Sequence, residues 1–182
     1  MNNLKNIITG GIITLVIGGT AFTFNQQAVV DNFAEDTGFT QEQAEQYVNN
    51  VSEDELVPFD EIGADYVAEG EETLEFATSI DCVNYEYEWE SATLSCSTGK
   101  AQLQEIGNAE QSLGREYIKL GSDSASENDM RTAVGLLDQL NSFYSLEVSV
   151  AAFDNQILNE MRLTNSYNKS LLNAALESKG KK

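Results

Sequence analysis

Two stretches of this sequence share one signature: seam residues at spacings of three and four, with a small residue recurring every seventh position. In the first, Phe59, Ile62, Tyr66, Glu69, Thr73, Phe76, Ile80, Val83 and Tyr87 fall at the period of a helix seam. In the second, Leu103, Ile106, Glu110, Leu113, Tyr117 and Leu120 do the same. Directly after every second seam position stand Gly63, Gly70, Ala77 and Asn84 in the first stretch, and Gly107, Gly114 and Gly121 in the second. A glycine inside a helix costs up to about 1 kcal/mol against alanine. Small residues at such a spacing let two helix backbones approach closely. The alternative use is a set of hinges or a groove for a partner helix.

Cys82 and Cys96 bracket the turn between the two stretches. The pattern therefore predicts an antiparallel helical hairpin stapled by a disulfide, with its first helix running from Pro58 to about Trp89. Closing a loop of about 15 residues in this way is worth roughly 3 kcal/mol in the chain-entropy picture. A redox-active pair usually sits closer, as Cys-x-x-Cys. A minority reading competes over residues 80–96. There Val83, Tyr85, Tyr87 and Trp89 alternate with Asn84, Glu86, Glu88 and Glu90, as on a half-buried strand of a short β-hairpin.

The rest of the chain extends the helical pattern. Thr40 with Gln43 and Ser52 with Glu55 resemble capping boxes. Pro58, the single proline, suits the first turn of a helix. After Leu120 a polar turn leads to Ser126 and Asp129, which can open the next helix. This turn lacks the spacing of a calcium loop. Val134, Leu137, Leu140, Tyr144, Val148, Ala151, Leu158, Met161, Leu172 and Leu176 then recur at helical intervals. They read as one long helix or as two with a break near Asn165–Asn168, and a short strand around Leu146, Val148 and Val150 is an alternative. The fold class expected is all-α, an antiparallel three- or four-helix bundle built on the stapled hairpin. Its parts are an N-terminal segment at 1–24, a polar spacer or short helix at 25–51, the bundle at 52–177 and a basic tail at 178–182.

The N-terminal segment carries Lys5 and then an apolar run from Ile7 to Phe24. A positive charge followed by such a run is the pattern of a secretory signal. Its length also just reaches that of a membrane-spanning helix. Gly19 and Ala21 offer small residues for cleavage, so an anchor through residues 7–24 and a removed signal peptide both fit. The expected location is accordingly the cell membrane, single-pass with the C-terminal domain outside, or the exterior.

Charge and composition narrow the chemistry. The net charge is −20, and no lysine or arginine occurs between Asn6 and Gly99, where 19 Asp and Glu lie. Such a surface repels nucleic acid, whose phosphates need basic partners, and attracts cationic groups. Solubility is the plain alternative role of the charge. The chain has no histidine. That removes Ser-His and Cys-His catalysis and His-ligated zinc. No Gly-rich phosphate loop or nucleophile elbow appears outside the apolar leader. No cofactor and no metal ligand set is expected, and the chain is read as non-enzymatic.

Glu69 and Glu110 are the carboxylates that stand out, because both occupy seam positions and a buried unpaired carboxylate is costly. Arg115 or Lys119 can pair with one of them, the two can share a proton or a cation, or the seam is wet at that level. With Tyr85 and Trp89 they form a candidate partner or cation surface. The working expectation is an exported or membrane-anchored acidic interaction or structural module at the cell envelope. Its partner would be a cationic protein, an envelope component or a second copy of itself. Two rivals stand beside it: a cation-binding or sensory module using residues 53–90, and an enzyme built on two converging carboxylates. Asn50-Val51-Ser52 and Asn168-Lys169-Ser170 are glycosylation sequons.

Overall fold

The computed structural model describes residues 7–9, 11–53, 58–83, 96–145 and 155–180. Three short strands come first: β1 (Ile7–Thr9), β2 (Ile12–Ile17) and β3 (Thr20–Asn25). Six helices follow: α1 (Gln26–Thr37), α2 (Gln41–Glu53), α3 (Phe59–Ser79), α4 (Cys96–Leu120), α5 (Glu127–Ser145) and α6 (Asn155–Gly180). The molecule is mostly helical, as the periodicity implies, and Cys82 and Cys96 are joined with their Cα atoms 5.6 Å apart.

Hydropathy predicts a signal or anchor helix over residues 7–24; the structure instead has an antiparallel meander of order β1-β2-β3 there. Gly18 and Gly19, both with positive φ, turn the chain between β2 and β3, the conformation a two-residue hairpin turn demands. Ile13 faces Phe24 and Leu15 faces Phe22 across the pair. These four side chains and Ile17 are buried in the main core, while Thr14 and Thr23 meet on the outer face. Gly18 lies against the Ala125 carbonyl, so closely that a Cβ there would sit 2.0 Å from its oxygen. The meander is thus wedged against the α4–α5 turn. No helix among the described residues is long and apolar enough to cross a membrane.

Residues 25–51, expected as a polar spacer or short helix, carry α1 and α2. Asn25 caps α1 by accepting from the Gln27 amide, and Gly38 ends it in the left-handed region with its amide on the Ala34 carbonyl. The Thr40–Gln43 capping box is formed in both directions. Val29, Phe33, Ala44 and Val48 enter the same core as the meander and the later helices.

α3 and α4 pack as the glycine seam requires. Gly63 opposes Gly114 and Gly70 opposes Gly107, each so near that a Cβ would lie 2.6–2.9 Å from the facing carbonyl oxygen. α3 ends at Ser79, ten residues before the expected Trp89. Ile80 is extended, and the Asp81 carboxylate accepts from the Val83 amide at 2.9 Å in a local turn. This bend brings Cys82 to the first residue of α4. The Tyr85–Trp89 segment falls on residues 84–95, outside those described; of the β-hairpin alternative at 80–96 the described ends carry no strand, since residues 80–83 form a bend and Cys96 opens α4. The strand alternative at Leu146–Val150 likewise lies outside them.

α6 runs unbroken through Asn165–Asn168, contrary to the break considered there. It packs on α1, α5 and β3. Asn165, Ser166, Asn168 and Ser170 are buried along it. Burial of Asn168 removes the second sequon from any role as an acceptor in the folded chain.

Candidate functional site

The distal half of the α3–α4 hairpin has its own small core, Ala77, Ile80 and Leu103 with Phe76 and Cys96 against them, separate from the main one. The proximal half joins the main core through Tyr66, Ile106, Leu113 and Tyr117. Within this proximal half, between Ile106 and Leu113 on α4, sits Glu110, only 2 % exposed. One of its oxygens accepts from the Thr73 hydroxyl of α3 at 2.9 Å. The other accepts from the Tyr144 hydroxyl of α5 at 2.6 Å. Glu110 therefore ties both hairpin helices to the bundle.

Burial pushes the Glu110 carboxyl above the ordinary carboxylate range, against the lowering effect of its two hydroxyl donors. Glu69 is exposed as a residue. Its carboxyl is nevertheless raised to about 7, first by burial and then by the charges of Glu110, Glu72 and Asp65. Tyr144 is raised by burial and by the adjacent Glu110, and Tyr66 by burial and by Glu69. The Tyr66 hydroxyl donates to the Asn165 side chain of α6. Asn165 donates on to Asn141 at 3.0 Å, and Asn141 donates to Ser166.

The exposed Glu69 feels the charge of the buried Glu110, and neither basic candidate pairs with them. Arg115 donates to Gln111 at 3.2 Å, and Lys119 is engaged by Asp129 and Glu116. The glycines at 63, 70, 107 and 114, with Ala77 and Gly121, line the helix–helix contact, where backbones meet without a groove between them. Among the described residues no three Cys, Asp or Glu side chains converge as a metal-binding set.

A cleft of about 800 Å³ opens between the end of α1 and the facing sides of α5 and α6, lined by Asp36, Phe39, Asp138, Asn141, Arg162 and Ser166 among others. Two carboxylates do converge there, on one Lys169 ammonium held by Asp36 and Asp138. The sequence holds no local signal for this cleft, since its walls come from segments about a hundred residues apart.

The outward side of α3 is acidic throughout. Asp60, Glu61, Asp65, Glu69, Glu71, Glu72 and Glu75 are all exposed, and the helix carries no basic residue. Among the described residues, the ion pairs involve carboxylates of α1, α4 and α5, none of α3. Comparison with protein families, with curated proteins and with solved structures finds no match for this chain.

Proposed function

We propose that this chain is an exported, non-catalytic interaction module that docks a cationic protein partner through the acidic outer side of its α3–α4 hairpin. The observation that carries the reading is the hairpin itself. It has a disulfide near its tip, a small core of its own, and seven exposed carboxylates along α3 that form no ion pair among the described residues. A row of one sign of charge on a rigid element steers and holds a partner of the other sign. The bonded cysteines support export, because disulfides persist in oxidising compartments.

The test compares two charge-neutralised variants of the oxidised full chain, with binding of a fluorescent oligolysine followed by anisotropy. Glu71→Gln/Glu72→Gln/Glu75→Gln changes the hairpin, and Glu35→Gln/Glu42→Gln/Glu45→Gln removes the same charge from α1 and α2. A hairpin site predicts a loss of about tenfold in the first variant, equivalent to about 1.4 kcal/mol, and little in the second. Equal losses would mean attraction to overall charge and would overturn the reading.

A further inference from the structure

The cleft between α1, α5 and α6 has no part in the docking assigned to α3, and it carries charges of both signs. We propose that it binds a short zwitterionic peptide, whose carboxylate sits on Arg162 and whose ammonium sits at Asp138. The site stands whether or not the hairpin docks a cationic partner.

The cleft volume of about 800 Å³ falls within the usual span of small-molecule sites, roughly 300–1,000 Å³. Toward one end Asp36 and Asp138 share the Lys169 ammonium. Two carboxylates against a single ammonium leave one negative charge unbalanced. Asp138 is the carboxylate within a ligand's reach, because its side chain is 55 % exposed against 19 % for Asp36. Arg162 lines the same cleft. It is exposed and forms no ion pair among the described residues. A ligand that balances the cleft therefore adds a positive group beside Asp138 and a negative group at Arg162. A simple anion would meet the repulsion of a chain of net charge −20. A simple cation would leave the guanidinium unmatched.

The spacing of the charges sets the ligand's length. Arg162 and Lys169 stand seven positions apart on α6, a rise of roughly 10 Å at about 1.5 Å per residue. Lys169 marks the level of the two carboxylates. An extended tripeptide covers about 10 Å, at roughly 3.3–3.6 Å per residue. The planar guanidinium fork suits a terminal carboxylate, which it can hold by two parallel bonds. Phe39 and Leu163, both half-buried in the wall, offer apolar surface to the peptide's side chains.

The neutral polar groups of the wall argue against a sugar as the occupant. The Ser142 and Ser145 hydroxyls donate to the Asp138 and Asn141 carbonyls of their own helix. The Asn141 amide donates to Ser166, and its side-chain oxygen accepts from Asn165. These groups are engaged within the protein, so the charges are what remains to select a ligand.

Calorimetric titration of the oxidised full chain with tri-alanine tests the site. Salt of about 0.15 M screens long-range attraction to the acidic surface. The expected result is one saturable site with Kd between roughly 10 μM and 1 mM. N-acetyl-tri-alanine and tri-alanine amide each lack one terminal charge and should bind about tenfold more weakly. Arg162→Gln should lower tri-alanine to the affinity of the amide and leave the amide's own affinity unchanged. Asp138→Asn should act in the same way toward the acetylated peptide. Arg131→Gln removes an exposed charge outside the cleft and should bind as the parent does. All three positions are exposed, and circular dichroism confirms that each variant is folded. The absence of saturable heat up to about 10 mM tri-alanine overturns the proposal. So does an affinity indifferent to the end groups or to Arg162→Gln, and so does maltotriose binding as tightly as the peptide.

Discussion

Replacing Gly114 by alanine tests whether the close approach of α3 and α4 is what the glycine spacing encodes. A Cβ at this position would lie 2.6 Å from the Gly63 carbonyl oxygen, 2.7 Å from Val67 Cγ2 and 2.8 Å from the Val67 amide nitrogen. Two of the three obstacles are backbone atoms, so a rotamer change cannot relieve the clash. Restoring an ordinary contact of about 3.4 Å to that oxygen means separating the helices by roughly 0.8 Å. A gap of that size forfeits a quarter to a half of each dispersion contact along the seam. Overpacking of this kind costs about 1–3 kcal/mol, and rigid obstacles on both sides place it at or above the upper end. The gain in helix propensity, about 1 kcal/mol, offsets part of the loss. The net expectation is a loss of about 2 kcal/mol, a Tm lower by roughly 4–8 °C for a chain of this size. Gly135 in α5 supplies the internal control, because nothing lies within 4 Å of a Cβ built there. Gly135→Ala should gain up to about 1 kcal/mol from propensity alone. Urea unfolding of both variants, followed by circular dichroism, makes the comparison directly. If Gly114→Ala matched or exceeded the parent, the helices would not be in backbone contact and the steric account of the seam would be wrong.

Three further outcomes follow from named contacts. Tyr144→Phe removes a donor from a buried carboxylate and should cost about 1.5–3 kcal/mol, measured by urea unfolding at pH 8; a neutral result would show that water replaces the hydroxyl. The double variant Cys82→Ser/Cys96→Ser opens a loop with a sequence separation of 14 and should cost about 3 kcal/mol in the chain-entropy picture, with amide exchange rising first around Ala77, Ile80 and Leu103. Leu15→Ala should cost about 2–5 kcal/mol, since that side chain is 1 % exposed within the main core; a Tm equal to the parent's would mean that the meander contributes nothing to the fold.

The hairpin was legible in the sequence because steric demand leaves a periodic mark. Gly63, Gly70, Gly107 and Gly114 are small where two backbones touch, and a seven-residue spacing survives any reading by period. Glu69 and Glu110 were legible for the same reason, as polar residues interrupting an apolar seam. The meander is hidden when hydropathy is averaged over the whole segment. Within it, Gly10-Gly11 and Gly18-Gly19 punctuate β-branched runs. Four glycines would cost a helix about 1 kcal/mol each, whereas one such pair is what a tight hairpin turn needs. α6 was obscured for the opposite reason. Asn165, Ser166, Asn168 and Ser170 look like a polar break, yet buried amides and hydroxyls that bond to one another sit readily inside a bundle. Tyr66 and Asn165 meet across 99 positions of chain, a partnership that no local pattern announces.

Charge divides the molecule into two parts with different physics. Several acidic groups of the bundle are matched: Asp36 and Asp138 by Lys169, Asp129 by Lys119, and Glu127 by Lys179, whose ammonium also lies 5.0 Å over the Phe22 ring. Those along α3 form no ion pair among the described residues, and their spacing makes them neighbours on the helix. Glu61 with Asp65, Asp65 with Glu69, and Glu71 with Glu75 are four apart; Glu69 with Glu72 and Glu72 with Glu75 are three apart. Like charges at these spacings destabilise a helix by roughly 0.2–0.5 kcal/mol per pair. Together these pairs set the helix back by about 1–2.5 kcal/mol, a sizeable share of the stability of an ordinary domain. The hairpin withstands this through contacts that owe nothing to charge: the glycine seam, the small distal core and the disulfide. A helix that tolerates so much self-repulsion on its outer side, with seven exposed carboxylates and no basic residue of its own, is the physical ground for seeking the counter-charge of α3 in a partner.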